Sequence, residues 1–383
     1  MGFGGESQTT LTIIYFRCAL THSRSRRLAG LRVCFSGHRA SRDNPAPGVP
    51  VGSGMAVALP QGSFSPEVAL LGEFVSIVIC THNRCALVAQ AVASLHQVSV
   101  PQGHRAELVV VLNGCTDSTA AAVATAAADL PMPVRLVEEP ILGLSVARNR
   151  AVAESGGGII AMLDDDVIVS PGWLEALIDA YESTGAGMVA GRVKLWWGTL
   201  PRPSWFDPAL DGLLSECDHG PKVKRLFGPF GSVGANLSFR RDTFRGAGPF
   251  RVGLGRSGRF MLTAEDADFM FRALDAETAF FYAPQAAVAH VVTDWKADPR
   301  YLARIAFGVG ASGVFMKKKI GVRQILRTAV GHAYLLFSGA IMVAACWAAG
   351  QDRGVVRSRC RMACGCGGLG ALWTRIMGRS PVA

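Results

Sequence analysis

The segment Ile159-Ile160-Ala161-Met162-Leu163-Asp164-Asp165-Asp166-Val167 runs five apolar residues directly into three carboxylates. A short apolar run of this kind reads as a buried parallel strand, and ligands of open α/β sheets gather beyond the carboxyl ends of such strands. Three adjacent acids at a strand tip repel one another unless water, a helix N-terminus or a cation compensates them. If strand geometry persists, Asp164 and Asp166 point the same way. Their hard oxygens suit Mg²⁺ or Mn²⁺ shared with a phosphorylated substrate. The competing reading is a solvated acidic turn ahead of a helix start at Ser170-Pro171.

The rhythm around this segment fixes the fold class. Val75-Cys80, Glu107-Leu112, Val134-Val137 and Ile159-Leu163 read as strands separated by Ala-rich or amphipathic helical stretches. Alternating strand and helix predicts an α/β fold with a Rossmann-like, doubly wound, mostly parallel sheet. Asp117 or Ser118 is placed to cap a helix over Thr119-Ala128, Ser145 one over Val146-Glu154, and Ser170-Pro171 opens Trp173-Glu182. After a strand at Met188-Leu195, Trp196 to Gly234 is rich in Trp, Pro and Gly, long enough to be an acceptor-side loop or lid. Regularity returns with a strand at Ala235-Arg240, a helix over Glu265-Leu274, a strand at Ala286-Val292 and a helix from Pro299 to Lys319.

The 383-residue chain has a net charge of +10, which raises the question of where the basic residues lie. Residues 1–70 carry 7 Lys/Arg against 3 Asp/Glu, residues 321–383 carry 8 against 1, and the centre holds 24 against 25. Basicity therefore sits in the tails, and the near-neutral centre argues against a nucleic-acid groove. Residues 1–70 read as a disordered or spurious extension with translation starting at Met1 or Met55, 71–320 as the catalytic domain, and 321–383 as a membrane-associated tail. Ala329-Ala349 has no Asp, Glu, Lys or Arg and is flanked by Lys and Arg on both sides. That pattern suits a spanning, interfacial or re-entrant helix at an anionic membrane surface, against the alternative of an ordinary core helix. The ten cysteines show no C-x-x-C pair, and Cys360, Cys364 and Cys366 lack a fourth zinc ligand, so their clustering reads as accidental.

Ordered motifs then carry a resemblance. Val75-Ser76-Ile77-Val78-Ile79-Cys80-Thr81-His82-Asn83-Arg84, Val109-Val110-Val111-Leu112-Asn113-Gly114-Cys115-Thr116-Asp117, Gly143-Leu144-Ser145-Val146-Ala147-Arg148-Asn149 and Leu163-Asp164-Asp165-Asp166 are similar, in order, to the opening motifs of family 2 glycosyltransferases. Gly234-Ala235-Asn236-Leu237-Ser238-Phe239-Arg240-Arg241, Ala264-Glu265-Asp266-Ala267-Asp268-Phe269 and Ala289-His290-Val291-Val292 continue that order. The resemblance covers roughly residues 73–310 and lies in the sequence of motifs, each alone being weak.

It implies a glycosyltransferase A-type fold, a nucleotide-sugar donor, a divalent metal (Mn²⁺ or Mg²⁺) and transfer with inversion to a lipid-linked or saccharide acceptor, in cell-surface or exopolysaccharide synthesis. Asp166 is implied as direct metal ligand, Asp164 as ribose or metal contact, and His290 as third ligand. Thr81, Asn83, Arg84 and Arg148 fall to the donor. Asp266, with Glu265 beside it, falls to the general base that takes the acceptor proton. Leu112 stands where the family usually has a base-reading Asp, so Asn113 is the substitute contact. A Gln-x-x-Arg-Trp box is absent and Tyr301 and Arg304 match it only loosely, which favours single transfers. The expected location is the cytoplasmic face of the plasma membrane, peripheral or monotopic. The alternative is a catalytically inactive, membrane-associated binding protein with the same fold. A dehydrogenase is disfavoured by the lack of G-x-G-x-x-G after the first strand, and a P-loop enzyme by the lack of G-x-x-x-x-G-K.

Overall fold

The computed structural model describes residues 73–378 apart from 230, 232, 257–261 and 318–320. The expectations for residues 1–70, including Met55 as a start, lie outside the described residues. Among the described residues nine strands form one sheet: β1 (Phe74–Thr81), β2 (Arg105–Asn113), β3 (Val134–Glu139), β4 (Ile159–Asp164), β5 (Val167–Val169), β6 (Met188–Trp196), β7 (Lys224–Leu226), β8 (Asn236–Arg240) and β9 (Phe280–Val291). Their order is β3-β2-β1-β4-β8-β6-β9-β5, with β7 also paired to β9. The doubly wound half read from the sequence is β3-β2-β1-β4, which is parallel throughout. Beyond it the sheet is mixed, because β8 enters antiparallel between β4 and β6.

Helices α1 (Cys85–Ser94), α2 (Thr119–Ala126), α3 (Leu144–Glu154) and α4 (Trp173–Thr184) link the strands and cover the sheet. Aliphatic runs such as Val109-Val110-Val111 are wholly buried, as expected for strands covered on both faces. The capping expectations divide. The Asp117 carboxylate accepts the Thr119 amide at 3.0 Å and does the work at α2. Ser145 caps nothing: α3 begins earlier, at Leu144 after Gly143, so Ser145 lies inside its first turn.

Strand β9 begins at Phe280 rather than Ala286 because Pro284 sits inside a bulge. Gly191 pairs with Ala283 and Arg192 with Ala287, so the proline is passed over without breaking the ladder. Within the irregular stretch the chain makes a 3₁₀ segment at Pro208–Leu214 and the edge strand β7, then β8 and α5 (Arg241–Ala247). Helix α6 (Glu265–Asp275) starts on acids, and α7 (Pro299–Phe315) follows β9.

Two long helices follow, α8 (Val322–Ala348) and α9 (Asp352–Ile376), and α9 packs on both α7 and α8. The Gly- and Cys-rich tail is thus helical. Its glycines permit backbone contact, since a Cβ at Gly367 would strike the Phe307 carbonyl and one at Gly310 the Cys364 carbonyl. Cys360 and Cys364 are buried in this packing while Cys366 is exposed. Arg357 of α9 pairs with Asp207 at 3.0 Å and the Arg353 guanidinium donates to the Ser204 carbonyl at 2.7 Å, so α9 lies against the sheet-bearing body. Helix α8 turns most of its large apolar side chains outward: Thr328, His332, Leu335, Gly339 and Cys346 are buried, whereas Leu326, Val330, Tyr334, Phe337 and Ile341 are exposed.

Candidate active site

The site lies at the carboxyl ends of β1 and β4, closed by the far end of β9. Pairing of Val167 with His290, reinforced by the Val291 amide donating to the Asp166 carbonyl at 2.8 Å, carries the histidine to the acids. One ligand atom from each of Asp164, Asp166 and His290 falls within 4.8 Å of the others. That span fits ligands around one small divalent ion at about 2.0–2.3 Å. His290 Nε2 is 2.9 Å from Asp166 Oδ1. Asp166 Oδ1 is buried without a hydrogen-bond partner and faces His290 Nε2, an arrangement that suits two ligands turned toward a shared cation.

The other oxygens of Asp165 and Asp166 are held by fixed cations and one hydroxyl. Arg84 donates to Asp165 Oδ1 at 2.8 Å and to Asp166 Oδ2 at 3.0 Å. Thr81 donates to Asp165 Oδ2 at 2.7 Å. Lys296, 2% exposed, donates to Asp166 Oδ2 at 2.7 Å and to the Val291 carbonyl at 3.0 Å. Burial opposes ionisation of Asp166, but the charges of His290, Lys296 and Arg84 overcome it and hold the carboxyl well below the usual range. Asp165 goes the other way: burial pushes it up to about 6 although Arg84 pulls against the rise. Three adjacent acids thus have three different jobs, with Asp164 at the strand end, Asp165 tying Thr81 and Arg84 together, and Asp166 at the centre of the cations.

Across the cleft, α6 begins with Glu265, Asp266 and Asp268. Arg148 on α3 spans the gap: it donates to Glu265 Oε1 at 2.7 Å and reaches Asp164 Oδ1 at 3.4 Å. Burial pushes Glu265 up to about 7 against the pull of Arg148. Asp266 is half-buried and accepts the Gly234 amide on Oδ2 and its neighbour Ala267 amide on Oδ1, each at 2.7 Å. A Cβ at Gly234 would meet Arg148 Nη2 at 2.5 Å, so a side chain there would displace the guanidinium. Asp268 is spent on Arg251 and Arg272 and serves the helix.

Two sequence-selected residues have local work. Asn83, at φ 50, exchanges hydrogen bonds with Thr116. Asn113 donates to the Glu139 and Ile141 carbonyls and accepts the Gly143 amide at 2.9 Å, so its side chain shapes the 139–143 loop. The sequence reading missed Lys296 and the neighbouring Trp295, whose ring packs edge-on to Tyr301 at 4.8 Å and lies 5.6 Å from the Arg84 guanidinium. No spacing rule marks a lysine in the turn after a strand; only its approach to Asp166 in space reveals it.

The family model described as glycosyl transferase family 2 matches residues 76–199, and that of glycosyl transferase family group 2 matches residues 159–353. The succinoglycan biosynthesis protein ExoM of Rhizobium meliloti is 30% identical over 263 residues, covering 68% of this chain and 81% of its own. The chain belongs to glycosyltransferase family 2. Within that family it is also similar to the glucosyl-dolichyl phosphate glucuronosyltransferase of Haloferax volcanii, 28% identical over 62% of this chain and 75% of the relative. In three dimensions it resembles the mannosyltransferase PcManGT of Pyrobaculum calidifontis, solved in complex with GDP-Man and Mn²⁺. That likeness has a TM-score of 0.51 and 17% identity, covers 81% of this chain and 90% of the other, and shows the fold.

Proposed function

We propose that this glycosyltransferase moves one sugar from a nucleoside diphosphate donor to a hydroxyl of a lipid-linked or polysaccharide acceptor, with inversion at the anomeric carbon. The supporting observation is the reach of Arg148 from Asp164 to Glu265, which joins the strand-end acids and the α6 acids into one cleft. The acceptor oxygen attacks the anomeric carbon, the bond from that carbon to the diphosphate breaks, and Asp266 takes the hydroxyl proton. Arg84 and Arg148 face the charge that develops on the leaving diphosphate, and the planar guanidinium suits that work. Thr81 and Asp165 hold Arg84 in place. Asp166, His290 and Asp164 would hold the divalent ion, Mn²⁺ or Mg²⁺, which supplies Lewis-acid stabilisation of the leaving phosphate. Glu265 orients Arg148, leaving Asp266 as the one base.

The acceptor class draws support from the names of the relatives, one in succinoglycan biosynthesis and one acting on a glucosyl-dolichyl phosphate. It also fits α8. This 27-residue helix is long and apolar enough to cross a membrane by composition, yet it presents its large apolar side chains outward while α9 anchors it to the body. A monotopic position along the anionic cytoplasmic leaflet satisfies that outward stripe together with the flanking arginines. The intact set of acids and cations disfavours the inactive-protein alternative.

The test is turnover of a panel of nucleotide sugars by the full chain on membranes bearing lipid-linked saccharides, with Mn²⁺ and with chelator. Sugar transfer that chelation abolishes supports the reading; no release of nucleoside diphosphate from any donor under either condition defeats it.

A further inference from the structure

We propose that Lys296 is a resident counter-cation of the metal site, which competes with the divalent ion for Asp166 so that the ion binds well only together with the donor diphosphate. The inference rests on the metal site proposed above. Lys296 leaves β9 through the turn that leads into α7, its amide bonded to the Thr293 carbonyl at 2.9 Å. Its side chain returns to the acids, with Nζ 2.7 Å from Asp166 Oδ2 and the residue only 2% exposed. A buried ammonium costs much free energy unless paired, and here the pair is the carboxylate that the sequence motif assigns to the metal.

Charge balance gives the consequence. Asp164, Asp165, Asp166 and Glu265 face Arg148, Arg84 and Lys296, so three fixed cations already offset most of the negative charge of four acids. A divalent ion entering alone adds two positive charges, more than the one spare carboxylate offsets, beside an ammonium and a guanidinium. A nucleoside diphosphate brings the missing negative charge and offers oxygens to Nζ once Asp166 turns to the ion. Lys296 therefore links metal occupancy to donor occupancy, and it touches the same diphosphate that Arg84 and Arg148 face.

The experiment measures Mn²⁺ binding by electron paramagnetic resonance to the full chain, alone and with UDP or GDP. Lys296→Met removes the charge at similar volume, and Lys296→Gln retains a donor for the Val291 carbonyl. We expect Mn²⁺ alone to bind at least about tenfold more tightly to either folded variant than to the wild type, with a smaller gain on adding nucleotide. A merely structural lysine would leave that affinity unchanged or weaken it, and either result overturns the proposal. Asp166→Ala is the control for the site. If it binds Mn²⁺ as the wild type does, the metal reading fails and takes this inference with it. If it loses Mn²⁺ while the Lys296 variants bind no better than wild type, only the inference fails. Should neither Lys296 variant fold, the wild type decides through its Tm: Mn²⁺ alone should raise it little and Mn²⁺ with UDP or GDP much more, whereas an equal rise with Mn²⁺ alone overturns the proposal.

Discussion

Replacing Asp266 by Asn separates the two acids at the start of α6. Both Asp266 oxygens accept backbone amides, from Gly234 and Ala267. An Asn side chain offers one oxygen, so one of these amides loses its partner and meets an NH₂ group. Because the residue is half-exposed, water replaces part of the loss, and the cost should be about 1–2 kcal/mol. For a body of this size that lowers Tm by about 2–6 °C and leaves a folded enzyme. Loss of the general base should cost roughly 10²–10⁴ in kcat, or about 3–5 kcal/mol in the transition state, with donor binding little changed. Glu265→Gln should behave differently. It weakens the hold on Arg148, whose remaining carboxylate contact is the longer one to Asp164, so its main effect belongs in donor KM. The assay is steady-state transfer with varied donor, beside donor binding by calorimetry. An Asp266→Asn enzyme that transfers at the wild-type kcat, while Glu265→Gln loses kcat at unchanged donor KM, would refute the assignment and put the base one residue earlier.

Further outcomes follow from burial and charge. The folded state raises Glu265 to about 7 from an ordinary 4.5, so it binds more protons there than the unfolded chain does. The contribution of this group to stability is therefore full below about pH 4.5 and is lost as pH rises through 7; comparing chemical denaturation of wild type and Glu265→Gln across that window should show a shallower decline in the variant, and parallel curves would contradict it. Phe337→Glu and Ile341→Glu on α8 alter residues 67% and 69% exposed, so they should reduce flotation with anionic vesicles severalfold while Tm stays within a few degrees; undiminished flotation would remove α8 from the membrane contact.

Much of this architecture was legible because the sequence repeats a simple physical rule. Aliphatic runs at Val75-Cys80, Glu107-Leu112 and Ile159-Leu163 can only be strands covered on both faces, and each recurs in the structure with ends shifted by a residue or two. Local chemistry misled where geometry had alternatives. Ser145 looks like a cap, but Gly143, at φ 144, lets the chain turn into α3 ahead of it. Pro284 masked the first half of β9, since a bulge that shelters a proline leaves no periodic trace. The tail glycines allow α9 to lie closely on α7 and α8, a tertiary gain that outweighs their poor helix propensity. At the site, Asp164, Asp166 and His290 were selected by motif and fall within reach of one ion. Asp165 and Lys296 were not selected, because their roles arise from contacts across long stretches of chain, Lys296 to Asp166 and Asp165 to Arg84.

The proposed chemistry requires a divalent ion and a nucleotide to meet beside Asp166. Crystals grown with Mn²⁺ and UDP or GDP, measured at a wavelength where manganese scatters anomalously, locate the ion without reference to activity. One strong anomalous peak is expected at about 2.0–2.3 Å from an Asp166 oxygen and His290 Nε2, with the diphosphate on its open side toward Arg84 and Arg148. Nucleotide bound in the cleft with no manganese peak beside Asp166, or with the peak among other acids, would contradict it.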